Sequence, residues 1–285
     1  MKKFTELNSY DDLELYMEDR EYKHTNYFHY SDIKGINGIL ENKKIWISSM
    51  MYSNDAKEND AFGDETYRYF QLCFSTGKSE NLPLWFLYSG VNGNGARINF
   101  PKKSIKKLLD PSNLKIELVE TASDKKIELW PNINCELSFR DILYRQHMEK
   151  QCRIIHNCIS NFCIEEKALK KYEENYRGFI KDPIWFYEKE ARILVKVDAN
   201  LIDKSLFWKD QDLKNRKEKS PYRIDCQIPE DVYSEMDITL SPKYTIDNAS
   251  SIINEPGFKG LLTNRIMSEY QGQINIDLCK KCDKK

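Results

Sequence analysis

The stretch at residues 27–49, "YFHYSDIKGINGILENKKIWISS", predicts a strand, a helix and a second strand in immediate succession. Its two ends are rich in bulky aromatic and β-branched residues, as strands are. Ser31 or Asp32 is a suitable N-cap for the helix between them. The apolar residues of that helix recur at a spacing that places them on one face, namely Ile33, Ile36, Ile39 and Leu40. We therefore expect a mixed α+β fold.

The overall composition excludes a general attraction to polyanions. The chain of 285 residues and 33.8 kDa carries 44 basic and 45 acidic side chains, for a formal charge of −1. A chain this close to neutral has no overall field that draws it to nucleic acid or to an anionic membrane. Aromatic residues make up 12% of the chain, which is enough for a substantial core. We expect one domain over residues 1–285, with a helical insert at about 138–180.

The sequence shows no targeting or anchoring segment. It lacks a run of about 18 apolar residues, and its start lacks the apolar stretch of a secretory signal. We therefore expect a cytoplasmic protein with no membrane partner, whose eight cysteines stay reduced and form no disulfides. Cys279 and Cys282 have the spacing of half a zinc site, but no second pair of suitable spacing is obvious, so we expect no metal.

The segment "WFYEKEARI" places two carboxylates and a guanidinium at alternate positions, Glu188, Glu190 and Arg192. If residues 184–195 form one strand, these side chains share a face, because successive side chains of a strand point to opposite sides. This grouping predicts a site that stabilises charge. The alternative is a solvated strand face on which the same residues form cross-strand ion pairs.

His29 is a candidate ligand-binding residue in the first strand. With Tyr30 and Ser31 it offers a ring nitrogen, a stacking face and a hydroxyl group, which suit a ribose and a flat heteroaromatic ring. The alternative is a packed histidine that bonds to the backbone. Arg97, in "GARINF", is a candidate for binding a pyrophosphate, unless it faces solvent.

Two further motifs allow both structural and functional interpretations. Trp85 and Tyr88 lie three residues apart and would share one side of a helical turn, as core residues or as a platform for stacking a base. "SNDAKEND" predicts a turn at Asn54, and Glu58 would then begin a helix over about 58–70, where its charge complements the dipole. In the functional interpretation this loop covers a ligand, and Tyr52 contributes a ring.

Several motifs together resemble a known family over most of residues 27–195. They are "YFHYSDIKGINGILENKKIWISS", "SNDAKEND", "LCFSTGKSENLPLWFLYSGVNGNGARINF" and "WFYEKEARI". Their order and rough spacing resemble those of an uncharacterised bacterial family in the ADP-ribosyltransferase clan. The opening is also similar to the histidine-containing first motif of ADP-ribosyltransferase toxins that modify DNA.

The resemblance implies an ADP-ribosyltransferase-like core, in which two small sheets form a split β-sheet and NAD lies in the cleft between them. Glu190 would be the first choice for the catalytic carboxylate and Glu188 the second. His29 would bond the adenosine-side ribose, and Ser75 would position the nicotinamide ribose or support the glutamate. The residues that the resemblance assigns to NAD binding are His29, Tyr30, Ser31, Tyr52, Asn54, Ser75, Tyr88, Arg97 and Arg192.

The function implied by the resemblance is transfer of ADP-ribose from NAD to a macromolecule. The acceptor would be DNA, RNA or protein, and the protein would act as a toxin or a phage-defence effector, with an antitoxin or a defence-system protein as its partner. Two alternatives stay open: an NAD glycohydrolase, in which water is the acceptor, and a non-catalytic module that senses a nucleotide.

Overall fold

The computed structural model describes residues 21–53, 58, 62–77, 79–90, 93–144, 177–208, 220–244 and 267–270. The strands in these residues are β1 (Asn26–Asp32), β2 (Lys44–Ser49), β3 (Tyr69–Ser75), β4 (Gly95–Pro101), β5 (Ile116–Glu120), β6 (Lys126–Leu129), β7 (Cys135–Asp141), β8 (Leu143–Tyr144), β9 (Ile180–Lys181), β10 (Glu190–Val197), β11 (Tyr222–Gln227) and β12 (Asp237–Leu240). The α-helices are α1 (Ile33–Asn42), α2 (Leu82–Tyr88), α3 (Lys102–Leu108), α4 (Ser205–Trp208) and α5 (Glu230–Tyr233).

Ten of the described strands are hydrogen-bonded into one sheet, in the order β12-β4-β1-β3-β2-β11-β5-β6, and β10 pairs with β3 and β7. The registered pairs of this sheet are antiparallel. β8 and β9 form a separate parallel pair. The structure therefore confirms a mixed α+β fold, with a mostly antiparallel sheet and short helices.

The chain divides into two compact units. The first unit comprises Met1–Lys23, Ile47–Leu72 and Leu118–Ile224, and the second comprises His24–Trp46, Cys73–Glu117 and Asp225–Lys285. No helix in the described part of the chain is long and apolar enough to cross a bilayer.

The opening stretch folds as its periodicity predicts. β1 is followed directly by α1, whose N-cap is Asp32: its carboxylate accepts a hydrogen bond of 2.7 Å from the backbone nitrogen of Gly35. The helix buries Ile36, Ile39 and Leu40 on its apolar face. It ends where Lys43 adopts a left-handed conformation with φ of 49°, and β2 begins at the next residue.

The second unit is organised around β1. This strand pairs with β4 along its whole length, from Asn26 opposite Pro101 to Asp32 opposite Gly95, and with β3 at Phe28 opposite Ser75. One side of β1 is covered by α2, since the rings of Tyr30 and Trp85 meet edge to face. Each strand thus has a fixed register that decides which side chains share a face.

The first unit contains β7, β10 and the 3₁₀ turn Pro183–Glu188 that precedes β10. β10 pairs with β7 from Ala191 opposite Asp141 to Val197 opposite Cys135. Burial of almost every β10 residue indicates packing on both faces of the strand. A hydrophobic cluster in this unit consists of Met50, Phe62, Tyr69, Ile142, Phe179 and Leu194.

Two predicted helices are wrong in part. Of the helix predicted over 58–70, Glu58 and Phe62 are helical, but Gly63–Arg68 is a 3₁₀ helix and β3 begins at Tyr69, because aromatic side chains there pack into a sheet. The predicted helical insert at about 138–180 is wrong at its start, since residues 138–141 belong to β7, where Phe139 pairs with Ile193. Residues 145–176 lie outside the described residues.

The predicted strand over 184–195 is wrong in its first half. Pro183–Glu188 is a 3₁₀ turn that begins with a proline, and the Asp182 carboxylate accepts from the nitrogen of Ile184. A proline at the start of a turn and a capping carboxylate before it both favour helical geometry over strand. β10 therefore begins only at Glu190.

Of the described cysteines, Cys73, Cys135 and Cys226, the last two are free thiols. Burial raises the pKa of Cys135 to about 11 and that of Cys226 to about 12. Both thiols are therefore protonated at neutral pH and act as small apolar groups. The other five cysteines, including the predicted zinc half-site, lie outside the described residues.

Candidate active site

Five charged side chains of the first unit form a continuous chain of ion pairs, which we call the charged network. Arg192 donates from Nε to Glu190 Oε1 at 2.8 Å and from Nη2 to Glu58 Oε1 at 2.9 Å. Lys181 Nζ donates to Glu188 Oε2 at 2.6 Å and to Glu190 Oε2 at 3.1 Å. Glu190 therefore lies between the two cations, while Glu58 and Glu188 form the ends.

Different elements bring these side chains together. Glu190 and Arg192 are alternate residues of β10 and point to one face, as predicted. Glu188 is not part of β10 but is the last residue of the 3₁₀ turn. The next residue, Lys189, has a left-handed backbone conformation with φ of 45°, and the chain then enters β10. Lys181 comes from β9. The predicted grouping of two glutamates and an arginine is therefore present, although one continuous strand does not produce it.

The charged network is buried, so the solvated strand face weighed as an alternative is wrong. The side chains of Lys181, Glu188 and Glu190 are 8%, 6% and 3% exposed, and that of Arg192 is fully buried. Removing so many charges from water is unfavourable unless each is paired and hydrogen-bonded. Buried ionisable groups that interact strongly with one another cluster at functional sites.

Further hydrogen bonds hold the charged network in place. Arg192 Nη1 donates to the carbonyl oxygen of Gly178 at 2.7 Å, so all three guanidinium nitrogens have acceptors. Ser53 donates to Glu58 Oε2 at 3.1 Å, and the backbone nitrogen of Glu190 donates to the Tyr144 hydroxyl oxygen at 2.7 Å. These contacts restrict the rotamers of the charged side chains, which is a requirement for a preorganised site.

The carboxylates dominate the local electrostatics. Burial by itself lowers the pKa of Lys181, but Glu190, Glu58 and Glu188 raise it by more, so its net pKa lies above the ordinary value despite the opposing charge of Arg192. Lys181 is therefore a cation at neutral pH. Burial and the neighbouring Glu190 raise the pKa of the Tyr144 hydroxyl, which therefore remains protonated.

Within the described part of the chain, the charged network has three carboxylates and two cations. Its carboxylates are those of Glu58, Glu188 and Glu190, and its cations are Lys181 and Arg192. Fixed carboxylates in a buried site favour a positive charge that develops next to them during a reaction.

The 3₁₀ turn that ends at Glu188 places apolar side chains next to the charged network. In the 3₁₀ turn Pro183–Glu188, Ile184 is 73% and Phe186 60% exposed. The ring of Trp185 lies 4.9 Å from Lys181 Nζ, and Phe186 meets Tyr144 edge to face. The exposed ring of Phe186, beside a buried group of charges, offers a surface against which a flat group can stack.

In the second unit, Tyr30, Ser75 and Arg97 share one face of the sheet. Tyr30 lies opposite Arg97, and Ser75 lies opposite Phe28, which is two residues from Tyr30 on the same side of β1. Arg97 Nη1 donates to the Tyr30 hydroxyl at 3.2 Å, and its guanidinium stacks on Phe28 with 4.3 Å to the ring centroid. Among the described residues, Arg97 Nε has no hydrogen-bond partner.

His29 and Ser31 lie on the opposite face of β1 from Tyr30, because alternate residues of a strand point to opposite sides. His29 Nδ1 lies 3.1 Å from the carbonyl oxygen of Cys73, and its ring packs edge to face on Phe74. This is the packed histidine weighed as an alternative. The structure therefore does not bring His29 and Tyr30 to one surface, as binding of both to one ligand would require.

The remaining candidates are placed as follows. Tyr52 ends a short 3₁₀ turn and is 36% exposed, while Asn54 lies outside the described residues. Trp85 is a core residue, 1% exposed, whose Nε1 donates to Glu80 at 2.9 Å; Tyr88 is the half-buried last residue of α2. The NAD-binding roles of the listed side chains stay predictions.

Sequence reasoning missed two members of the charged network. Glu58 was assigned to a helix dipole, but it pairs with Arg192 across 134 positions of sequence. Lys181 was not considered, and it lies seven and nine positions before the two glutamates that it contacts. The only available signal was that Glu188 and Glu190 would need cations if buried; nothing in the sequence shows that they are buried.

Comparisons of the chain with protein-family models, curated proteins and solved structures find no match. Within the described parts of the chain, no group of three or more His, Cys, Asp or Glu side chains is arranged to hold a metal ion. The functional interpretation therefore depends on the motifs and on the geometry of the charged network.

Proposed function

We propose that the protein is an NAD-dependent ADP-ribosyltransferase that modifies a macromolecule and acts as a toxin or phage-defence effector. The observation that carries this proposal is the buried pair of carboxylates, Glu188 and Glu190, which the family resemblance assigns to catalysis and which the charged network holds side by side. Glu188 and Glu190 both end on Lys181, and the turn before them exposes Ile184 and Phe186.

The chemistry suits such a site. Breaking the bond between ribose C1′ and the nicotinamide nitrogen sends the bonding electrons to nicotinamide, which leaves as a neutral molecule, and positive charge builds on the ribose. A fixed carboxylate stabilises this charge more in the transition state than in the ground state. The acceptor nucleophile then forms the new bond to C1′, and its proton passes to a carboxylate acting as general base.

The first prediction concerns the two carboxylates. Glu190→Gln and Glu188→Gln should each lower the rate of nicotinamide release about a hundredfold, which corresponds to ~2.7 kcal/mol of transition-state stabilisation. The matched control is Glu136→Gln in the same unit, because the Glu136 side chain is 73% exposed and lies on β7. The control should release nicotinamide at the wild-type rate.

The assay should follow both products. Purified protein is incubated with NAD labelled on the adenylate, alone and with oligonucleotides or cell lysate, and free nicotinamide and transferred label are measured. Release that requires an added macromolecule and is accompanied by label transfer supports the proposal. Release without acceptor indicates a glycohydrolase instead, and binding of NAD without any release indicates a nucleotide sensor.

A further inference from the structure

Lys181 joins the two candidate catalytic carboxylates of the charged network, but the proposed function gives it no role. Lys181 Nζ lies 2.6 Å from Glu188 Oε2 and 3.1 Å from Glu190 Oε2. The two carboxylate oxygens must therefore lie closer together than the sum of these distances. Two buried carboxylates at that separation repel each other strongly, and without a cation between them one would take up a proton.

We propose that Lys181 is a positioning residue that keeps Glu188 and Glu190 ionised side by side, so that one carboxylate stays fixed while the other engages the ribose. This role rests on the proposed function. Glu190 is the fixed member because Arg192 and Lys181 hold its two oxygens separately. Glu188 is the carboxylate that engages the ribose. It ends the 3₁₀ turn whose Ile184 and Phe186 side chains are exposed, and the backbone of the next residue, Lys189, is in the left-handed conformation.

The surroundings of Lys181 fit a fixed cation that does not itself react. The side chain is 8% exposed and its ammonium group lies over the ring of Trp185. The charged groups that act on it are Glu58, Glu188, Glu190 and Arg192, and the nearby Tyr144 hydroxyl accepts from the Glu190 nitrogen. A protonated lysine enclosed in this way is a poor base or nucleophile, but it is well placed to orient carboxylates.

The proposed role makes a prediction that separates Lys181 from a purely structural residue. Lys181→Met should lower kcat by about a hundredfold, by analogy with loss of one charge-stabilising group, and should change KM for NAD much less. The acid limb of the pH–rate profile should also move to higher pH by about one unit or more, because an adjacent cation lowers the pKa of a carboxylate by that amount.

Two further variants complete the experiment. Lys181→Arg keeps the positive charge, so its acid limb should stay near the wild-type position, while its kcat falls because a planar guanidinium does not fit the place of a compact ammonium group between the two carboxylates. The control is Lys196→Met on β10, where Lys196 pairs at 3.6 Å with an exposed glutamate; it should leave kcat and the pH profile unchanged. Circular dichroism checks that each variant is folded.

If Lys181→Met does not fold, Lys181→Arg alone decides. The proposed role is overturned by a folded Lys181 variant with wild-type kcat, or by Lys181→Met activity that falls with no shift of the acid limb, which is the behaviour of a merely structural residue. Absence of nicotinamide release by the wild-type protein under every condition overturns the proposed function, and this role with it. The two failures are therefore distinguishable.

Discussion

His29 has a residue-scale role that is visible in its contacts. Its Nδ1 faces the carbonyl oxygen of Cys73 at 3.1 Å, and a carbonyl only accepts, so Nδ1 carries the proton in the neutral ring. Burial lowers the pKa of His29 below its ordinary value of 6.5, although the bond to Cys73 opposes this effect. The imidazole is therefore neutral in the folded protein at physiological pH.

This lowered pKa predicts a pH dependence of stability. As the pH falls below 6.5, the unfolded chain binds a proton at this histidine before the folded chain does, so the free energy of unfolding decreases. His29→Asn, whose amide nitrogen can replace Nδ1, should remove this part of the decrease. The measurement is urea unfolding over a pH series for the wild type and for His29→Asn. Equal slopes for wild type and His29→Asn would contradict the assignment.

At the scale of elements, local capping explains how the chain passes from β1 to α1. Asp32 accepts from the nitrogen of Gly35, and a Cβ added at Gly35 would lie 2.5 Å from the Ser31 hydroxyl oxygen and 3.2 Å from Asp32 Oδ1. A larger residue there would force the Ser31 hydroxyl to move and press on the capping carboxylate of Asp32. The cap and the glycine therefore work together to begin the helix at Ile33.

Removal of this cap should be measurable. Asp32→Ala should lower the free energy of unfolding by about 1 kcal/mol, because the nitrogen of Gly35 loses its acceptor. Asp32→Asn, which retains a capping oxygen, should lose much less, and Lys34→Ala on the exposed side of the same helix serves as the surface control. Equal effects of Asp32→Ala and Asp32→Asn in chemical denaturation would show that the cap contributes nothing.

At the scale of the whole molecule, buried carboxylates connect segments that are far apart in the sequence. Glu80, 5% exposed, accepts from Trp85 Nε1, from the Ser268 hydroxyl at 2.6 Å and from the backbone nitrogen of Glu269 at 2.7 Å. These donors bring residues 267–270 to the start of α2 in the second unit. A carboxylate accepts hydrogen bonds through both of its oxygens, whereas an amide accepts through one oxygen only.

Glu80→Gln should therefore destabilise the second unit. The amide NH₂ would face one of the three donors, which leaves a buried polar group unsatisfied and lowers the free energy of unfolding by about 1–3 kcal/mol. Glu41→Gln, an exposed carboxylate of α1, is the matched control. Denaturant unfolding together with limited proteolysis near residue 270 measures the effect; unchanged stability and unchanged cleavage would refute this role of Glu80.

The sequence by itself determined the local elements around residues 27–49, because helix periodicity, strand alternation and the Asp32 cap depend on neighbours within a few positions. Only the tertiary structure decided that Glu58 and Lys181 join Glu190 and Arg192. Whether a charge is buried depends on partners from distant segments, and Glu58 lies 134 positions from Arg192. The free energy of burying a charge depends on the partners that surround it in the folded protein, which the residues next to it in the sequence do not reveal.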